Sequence, residues 1–402
     1  MIKKFALLLP LLMAGWQADA RTDQATEMEI QSAFKQAYMA RRAGANRQAE
    51  VIFTRIVELR PNAPFPRFEL GVAQAQQGRC AAAARTFEVG KKLHPLPSFQ
   101  RAVEAAMEDL CPGLAPFEAS AGFEIIYDTN ANSGSSDKDV MVNGIPVSLS
   151  DEAVAGASFG YRATGRLGYN LKLSHTSYLV PSVGVTLEDY EGSDLDLLTF
   201  SPSVSYRYKG DRIDLRVGPT GLLSYDQDGS AVTGMGLSMS GSYSISKVAG
   251  LRFGGSFMDA DDKRNSFRDY KQRTFGATYL RSLERGRTLS ISVSWNDMDY
   301  EDSLQNLEQV QVRAGLRGSL TTQIGYDLGI SYAINRGDDV HPFFGVVRKD
   351  NVATVDANLS FAKFDTFFGR PYLGVTHTVS KSNFATKEFD RTRVNFGFTQ
   401  SF

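Results

Sequence analysis

The sequence predicts an N-terminal helical segment joined to an all-β antiparallel transmembrane barrel of about fourteen strands. Three observations carry this reading. Helix periodicity is confined to residues 26–110, alternation of apolar and polar residues fills 117–402, and past residue 20 nothing approaches the roughly 20 consecutive apolar residues of a membrane helix. Composition excludes more than it selects: 42% hydrophobic residues and 36 Gly in 402 fit neither a helical membrane bundle nor a disordered chain. With 44 basic and 45 acidic residues there is no general attraction for nucleic acid, which is not an expected partner.

The chain begins with Lys3 and Lys4, an apolar run from Phe5 to Trp16, and the small-x-small trio Ala18-Asp19-Ala20. A run of about twelve apolar residues is too short to span a bilayer, so residues 1–20 read as a signal peptide cleaved before Arg21. No Cys lies at that point, so the usual lipobox anchor is not expected.

From Thr26 to Leu110 the chain is rich in Ala, Glu, Gln and Arg, with apolar residues three and four apart. A shift of 34 residues aligns Gly44 with Gly78, Ala49 with Ala83, Phe53 with Phe87, Leu59 with Leu93 and Pro61 with Pro95. This period and residue order resemble the tetratricopeptide repeat. Gly44 and Gly78 let the chain turn between paired helices, and Ala49 and Ala83 allow close packing. Phe53 and Phe87 fill the seam, and Pro61 and Pro95 end each unit. Ser98 to Leu110 reads as a capping helix. Ala33 and Arg67 stand where the repeat often has an aromatic residue, so an unrelated pair of helical hairpins is the alternative. Cys80 and Cys111, the only cysteines, are delivered by export to an oxidising compartment and are expected to form a disulfide. Two free thiols are the alternative; a redox site lacks the C-x-x-C spacing.

At Pro116-Phe117 the texture changes, which places a helical domain at 21–113 and a β domain at 117–402. In Leu289 to Asn296, odd positions are apolar and even ones polar; Leu237, Met239, Tyr243 and Ile245 alternate with serines, and Val310, Val312 and Ala314 with Gln311 and Arg313. A soluble sandwich alternates too but rarely runs this long, whereas a barrel turns its apolar set to lipid and its polar set to a wet lumen. Strands are expected to start near Phe117, Ala153, Ser174, Asp196, Asp211, Val232, Gly250, Phe267, Arg287, Leu304, Thr322, Lys349, Arg370 and Glu388. Connections after even-numbered strands are short, as at Lys209-Gly210, Lys247 to Ala249 and Glu284 to Gly286. Those between them tend to be longer or more acidic, as at Asn130 to Glu152, Asp259 to Arg264 and Asn335 to Arg348. That rhythm predicts periplasmic turns, surface loops, and both barrel ends in the periplasm.

The last strand, Arg393 to Phe402, resembles the C-terminal signal read by the outer-membrane barrel assembly machinery, an expected partner. Asn395, Gly397 and Phe402 hold the polar, glycine and terminal aromatic places of that signal, and Gln400 stands where an apolar residue is usual.

Chemistry-bearing patterns are few. His94, His175, His341 and His377 show no metal-ligand spacing, and no G-x-S-x-G follows a strand, so neither an enzyme nor a metal or cofactor is expected. His94 reads as an exposed cap and His377 as a strand residue. Asp259, Asp261 and Asp262, or Asp338 and Asp339, could bridge Ca²⁺ to lipopolysaccharide, but read more simply as solvated loop surface. Lys271 and Arg273, if outward, belong among lipid headgroups.

Repeats fused to a C-terminal barrel resemble the surface lipoprotein assembly modifier family. Tyr127-Asp128-Thr129-Asn130-Ala131-Asn132 looks like that family's first-strand motif, and Ser380 to Asn383 with Asp390 to Phe402 looks like its last hairpin. The resemblance implies an outer-membrane translocator of a Gram-negative bacterium, its N-terminal domain in the periplasm. It would deliver client lipoproteins, or related secreted binding proteins, to the cell surface. The alternatives are an exopolysaccharide export barrel and a passive porin with a periplasmic docking domain. Outer-membrane lipid and lipopolysaccharide are the remaining expected partners.

Overall fold

The computed structural model describes residues 24–94, 96–111, 113, 116–142, 144–191, 196–226, 229–364 and 369–401. The expected signal peptide, Pro95 and Phe402 lie outside the described residues. The chain divides into two units between Gly113 and Leu114.

Among the described residues the first unit holds five helices: α1 (Gln24–Arg42), α2 (Asn46–Leu59), α3 (Pro64–Gln76), α4 (Cys80–Leu93) and α5 (Pro97–Leu110). Pro64 and Pro97 open α3 and α5, where proline's missing N–H is no loss. Gly44 (φ +82) and Gly78 (φ +74) make the α1–α2 and α3–α4 connections in the left-handed region, which glycine enters at no steric cost. Pro61 lies between α2 and α3, where its carbonyl accepts a 2.8 Å hydrogen bond from Arg67.

Ala49, Phe53, Ala83 and Phe87 are all buried. The ring of Phe53 meets Phe34 edge-on at 5.5 Å, and the ring of Phe87 meets Phe68 at 5.6 Å. The aromatic partners that the sequence lacks at Ala33 and Arg67 therefore sit one residue further on, again 34 apart. A Cβ on Gly71 would come within 2.6 Å of the Phe87 ring, so that ring packs directly on backbone. Phe87→Ala is expected to cost about 3–5 kcal/mol, since the ring is fully enclosed. Urea-dependent proteolysis of the helical unit in the intact chain would register the loss; an unchanged midpoint would contradict this packing.

Polar contacts tie the hairpins together. Arg41 on α1 pairs with Glu69 on α3 at 2.6 Å. Burial pushes the Glu50 carboxyl up, but hydrogen bonds from Gln77 and Gln74 and the charge of Arg79 outweigh it and hold the carboxyl below its ordinary value. Cys80, at the start of α4, is bonded to Cys111, just past α5, with Cα atoms 5.6 Å apart. His94 is half-buried, its ring 5.3 Å from Phe99, which corrects the exposed cap read from sequence: the end of α4 packs on the capping helix.

The second unit is a closed antiparallel barrel of fourteen strands. They are β1 (Phe117–Asp128), β2 (Ser158–Tyr169), β3 (Ser177–Tyr190), β4 (Leu197–Lys209), β5 (Ile213–Asp226), β6 (Gly229–Ser244) and β7 (Ala249–Asp262). There follow β8 (Tyr270–Ser282), β9 (Thr288–Tyr300), β10 (Leu307–Ser319), β11 (Ile324–Val340), β12 (Val347–Phe361), β13 (Arg370–Ser382) and β14 (Phe389–Ser401). Each pairs with its neighbour in sequence, and β1 also pairs with β14, from Ser120↔Ser401 to Asp128↔Arg393, so no edge is left open. We call the end holding Phe117 and Ser401 the terminal end, and the other the far end.

The far-end loops are shorter than the sequence suggests. Asn335 to Arg348 reads as a loop, yet β11 runs through a bulge to Val340, which pairs with Val347. Asp259, Asp261 and Asp262 likewise lie on β7 rather than in a loop. β5 and β6 are separated only by residues 227 and 228. The exception is the connection of residues 129–157, which contains its own hairpin, Asp139–Val142 paired with Ile145–Ser148.

The outer wall is apolar and exposed, as at Phe123, Ile125, Leu237, Phe275, Ile330 and Val355. Such a continuous belt would drive association in water, and it fits a hydrocarbon solvent. Strands of 12–17 residues tilted in a barrel cover a bilayer core of roughly 30 Å. No helix among the described residues is long and apolar enough to cross a membrane.

Candidate functional site

The candidate site is the inner wall, and its alternation starts with β1. Phe117, Phe123, Ile125 and Tyr127 face out, so Glu118, Glu124, Ile126 and Asp128 face in. Three carboxylates thus enter the lumen on one strand at different heights, and each has been given cations.

At the far end, Asp128 is fully buried and accepts hydrogen bonds from Arg391 at 2.5 and 2.9 Å. Arg393 stands 3.6 Å from the same carboxylate, 3.2 Å from Glu188 and in hydrogen-bond contact with Tyr190. Below them, Arg162 pairs with Glu188 at 2.7 Å and with Glu124 at 3.0 Å. Glu124 also accepts from Asn395 (2.7 Å) and Tyr372 (2.9 Å). This ladder links β13, β14, β1, β2 and β3, and so crosses the seam where the first and last strands meet.

At the terminal end, Glu118 turns the other way. It receives Arg207 (2.6 Å), Arg216 (2.8 Å) and Asn170 (3.1 Å), and Arg207 also binds Asp214 at 2.6 Å. On β10 to β13, Arg313 pairs with Asp356 at 2.5 Å, and Asp350 takes Arg348 (2.6 Å) and Ser382 (2.7 Å). The wall of β6 to β9 differs. It presents hydroxyl and amide groups bonded to one another, such as Ser256 with Thr274 (2.7 Å), Thr278 with Ser292 (3.2 Å) and Gln272 with Asn296 (2.8 Å). The inner wall thus carries charges paired with neighbours on one side and hydroxyl and amide pairs on the other.

The motif from Tyr127 to Asn132 closes the far end of the seam. Tyr127 packs outward on Phe159 at 4.8 Å while Asp128 holds the arginines of β14. Thr129 exchanges backbone and side-chain hydrogen bonds with Thr392. Asn130, fully buried, bonds both the N–H and the carbonyl of Gly134, and Asn132 binds the carbonyls of Glu152 and Val154. Residues 129–157 are thereby folded back and pinned to the last loop, where Ser135 donates to the Ala385 carbonyl at 3.1 Å. Beside them, the ring of Phe384 stacks on Phe344 at 4.1 Å, with His341 edge-on to Phe384 at 5.4 Å.

Asn395 and Gly397 both point inward at the seam. Asn395 binds Glu124, and any Cβ on Gly397 would lie 2.4 Å from the Phe123 carbonyl, so β14 can approach β1 only with glycine there. His377 faces out, its Nδ1 3.0 Å from the Thr392 hydroxyl. Lys271 and Arg273 are exposed on the outer face of β8, where Arg273 pairs with Asp297 at 2.7 Å. Asp338 accepts from Asn306 at 2.9 Å, and among the described residues no three His, Cys, Asp or Glu side chains converge as metal ligands. The ladder across the seam went unseen in the sequence. Its only signal was scattered cations and carboxylates on one face of each strand, such as Glu124 and Asp128 on β1 and Arg391 and Arg393 on β14, two strands that meet only on closure.

No curated protein matches the sequence. Among solved structures, the Pseudomonas putida toluene transporter TodX is similar with 9% identity and a TM-score of 0.42, covering 74% of this chain and 92% of that one. A Pseudomonas aeruginosa FadL homologue has 10% identity, TM-score 0.39, and coverage of 74% and 93%. The loop-deleted OmpT of Vibrio cholerae has 8% identity, TM-score 0.39, and coverage of 71% and 99%. At these values the likeness concerns the barrel fold and nothing that passes through it. The family described as surface lipoprotein assembly modifier matches residues 117–402, the whole barrel. The chain therefore belongs to the surface lipoprotein assembly modifier family.

Proposed function

We propose that this outer-membrane barrel carries specific lipoproteins, or related secreted binding proteins, to the cell surface. Family membership over the whole barrel is the observation that carries the reading. The lumen agrees with it, because a wall of paired charges and hydroxyl groups suits a passing polypeptide and presents no sustained field to an acidic polysaccharide. The long connection of residues 129–157 at the far end supports reading that end as the cell-surface side, in which case residues 24–111 would lie in the periplasm as a repeat surface for an incoming client. No nucleotide-binding motif occurs in the sequence, so the driving force comes from client folding or binding outside. The β14 strand, with Asn395 and Gly397, is the segment offered to the barrel assembly machinery. Exposed Lys271 and Arg273 meet lipopolysaccharide or lipid headgroups on the outer wall.

Co-expression with a lipoprotein encoded beside it, followed by protease treatment of intact cells, tests the proposal. The lipoprotein is expected to be cleaved only when the barrel is present. A lipoprotein equally protected with and without the barrel would sink it.

A further inference from the structure

We propose that the polypeptide of the client crosses inside the barrel as an unfolded chain, along the inner wall of β6 to β9, and not through the seam of β1 and β14; this rests on the delivery reading above. The two sides of the lumen are filled differently. In the far half, the wall from β11 round to β1 buries inward residues such as Ala333, Asn335, Asp350, Ile126 and Asp128. Large side chains fill this side: Arg162, Arg391 and Arg393 extend to carboxylates of neighbouring strands. On β6 to β9, Ala260 is the only described inward residue that is buried. Short side chains line that wall, as at Gly254, Ser256, Gly276, Ser292 and Ser294, and the inward Ser240 is exposed. Toward the terminal end the lumen opens on the other side too, since Ser120, Thr164 and Thr399 face inward and are exposed. The free space is therefore a funnel, wide at the terminal end and narrowed toward the far end to the side of β6 to β9.

Size decides what can use this space. Fourteen strands about 4.8 Å apart and tilted by about 40° close into a wall about 28 Å across between backbones. A folded domain of about 100 residues is about 30 Å or more across, so it does not fit even before side chains are counted. An extended chain does, at a width of roughly 10 Å, the spacing at which strands pack face to face. The chemistry of the wall agrees. Each Ser or Thr hydroxyl both donates and accepts, so it exchanges hydrogen bonds with passing N–H and C=O groups and holds none of them. The seam is the poorer route. β1 and β14 are paired from Ser120↔Ser401 to Asp128↔Arg393, and Asp128 with Arg391 and Glu124 with Asn395 bond them from inside. Parting them would leave two rows of backbone groups unsatisfied against lipid.

The two native cysteines are bonded to each other, so one added cysteine is the only free thiol of the full-length protein. Four conservative variants are compared in cells: Ser256→Cys and Ser294→Cys on the open wall, Thr378→Cys on the filled wall, and Ala121→Cys on the outer face of the seam. The lipoprotein encoded beside the barrel is arrested part-way by a tightly folded domain fused to its C-terminus, with one cysteine placed just before that domain. On oxidation it is expected to bond Ser256→Cys and Ser294→Cys several-fold more than Thr378→Cys or Ala121→Cys. Stronger bonding at Ala121→Cys, equal bonding at Thr378→Cys, or no bonding at any position while the lipoprotein still reaches the surface would overturn the route and leave delivery standing. Ion current through the full-length protein in planar bilayers tests the open wall without a client. A thiol-reactive polyethylene glycol should cut the current at least twofold for Ser256→Cys and Ser294→Cys and leave it unchanged for Ala121→Cys. Current that no reagent reduces would overturn the open wall; reduced current without delivery in cells would uphold the wall and overturn its cargo.

Discussion

Asp128→Ala is expected to destabilise the barrel by about 3 kcal/mol, because it leaves two guanidinium groups around a buried space with no carboxylate. Asp128 is 0% exposed, while Arg391 lies 2.5 Å and Arg393 3.6 Å away. Arg391→Ala should cost less, since Arg393 remains to hold the charge. Asp128→Asn keeps an acceptor for Arg391 and should fall between. The heat-induced mobility shift of the folded barrel on gels, or urea unfolding in vesicles, measures the order. The seam must feel this loss more than other strand pairs do, because Asp128 also receives the Asn130 N–H at 3.0 Å and so ties the long connection to the ladder. A D128A barrel that unfolds with the parent would show the ladder to be a surface decoration of the lumen.

Cys111→Ser is expected to weaken the helical unit by about 3–4 kcal/mol in the chain-entropy view, in which closing a loop restricts the unfolded chain. The bond joins residues 31 apart and fixes the capping helix to the start of α4. Stabilities of 5–15 kcal/mol are usual, so a unit of this size would lose a substantial part of its margin. The barrel, a separate unit, should keep its unfolding midpoint. Protease resistance of residues 24–111 against urea reads the first effect, and the gel shift reads the second. Alkylation adds a direct check: thiols should react only after reduction. Reactive thiols in the unreduced protein, or an unchanged midpoint in C111S, would contradict the bond's role.

The barrel was legible because lipid and lumen impose a strict period of two, and that period is written in runs such as Leu289 to Asn296. All fourteen strands lie near their expected starts. The errors gather where the period lapses. Past the membrane rim both faces of a strand meet water, so Gly337, Asp338 and Asp339 look like a loop while the ladder of β11 continues to Val340. His94 looked exposed because its neighbours Phe65 and Phe99 come from other helices. The inner ladder was hidden for a related reason. Asp128 and Arg391 are 263 residues apart, and only closure of β14 on β1 makes them neighbours. The Tyr127 to Asn132 stretch stands out by its resemblance to the family's first-strand motif, but its role as a clamp depends on Thr392, Gly134 and Val154, which no local pattern supplies.

The central claim, delivery of a lipid-anchored client across this barrel, is tested most directly with purified parts. Vesicles containing the full-length protein are loaded with a cognate lipoprotein on the side of the helical unit, and protease is added to the other side. The account predicts that the lipoprotein becomes cleavable over time only in vesicles that hold the barrel, with the vesicles still sealed to a soluble reporter. A lipoprotein that stays protected in those vesicles as fully as in empty ones would contradict it.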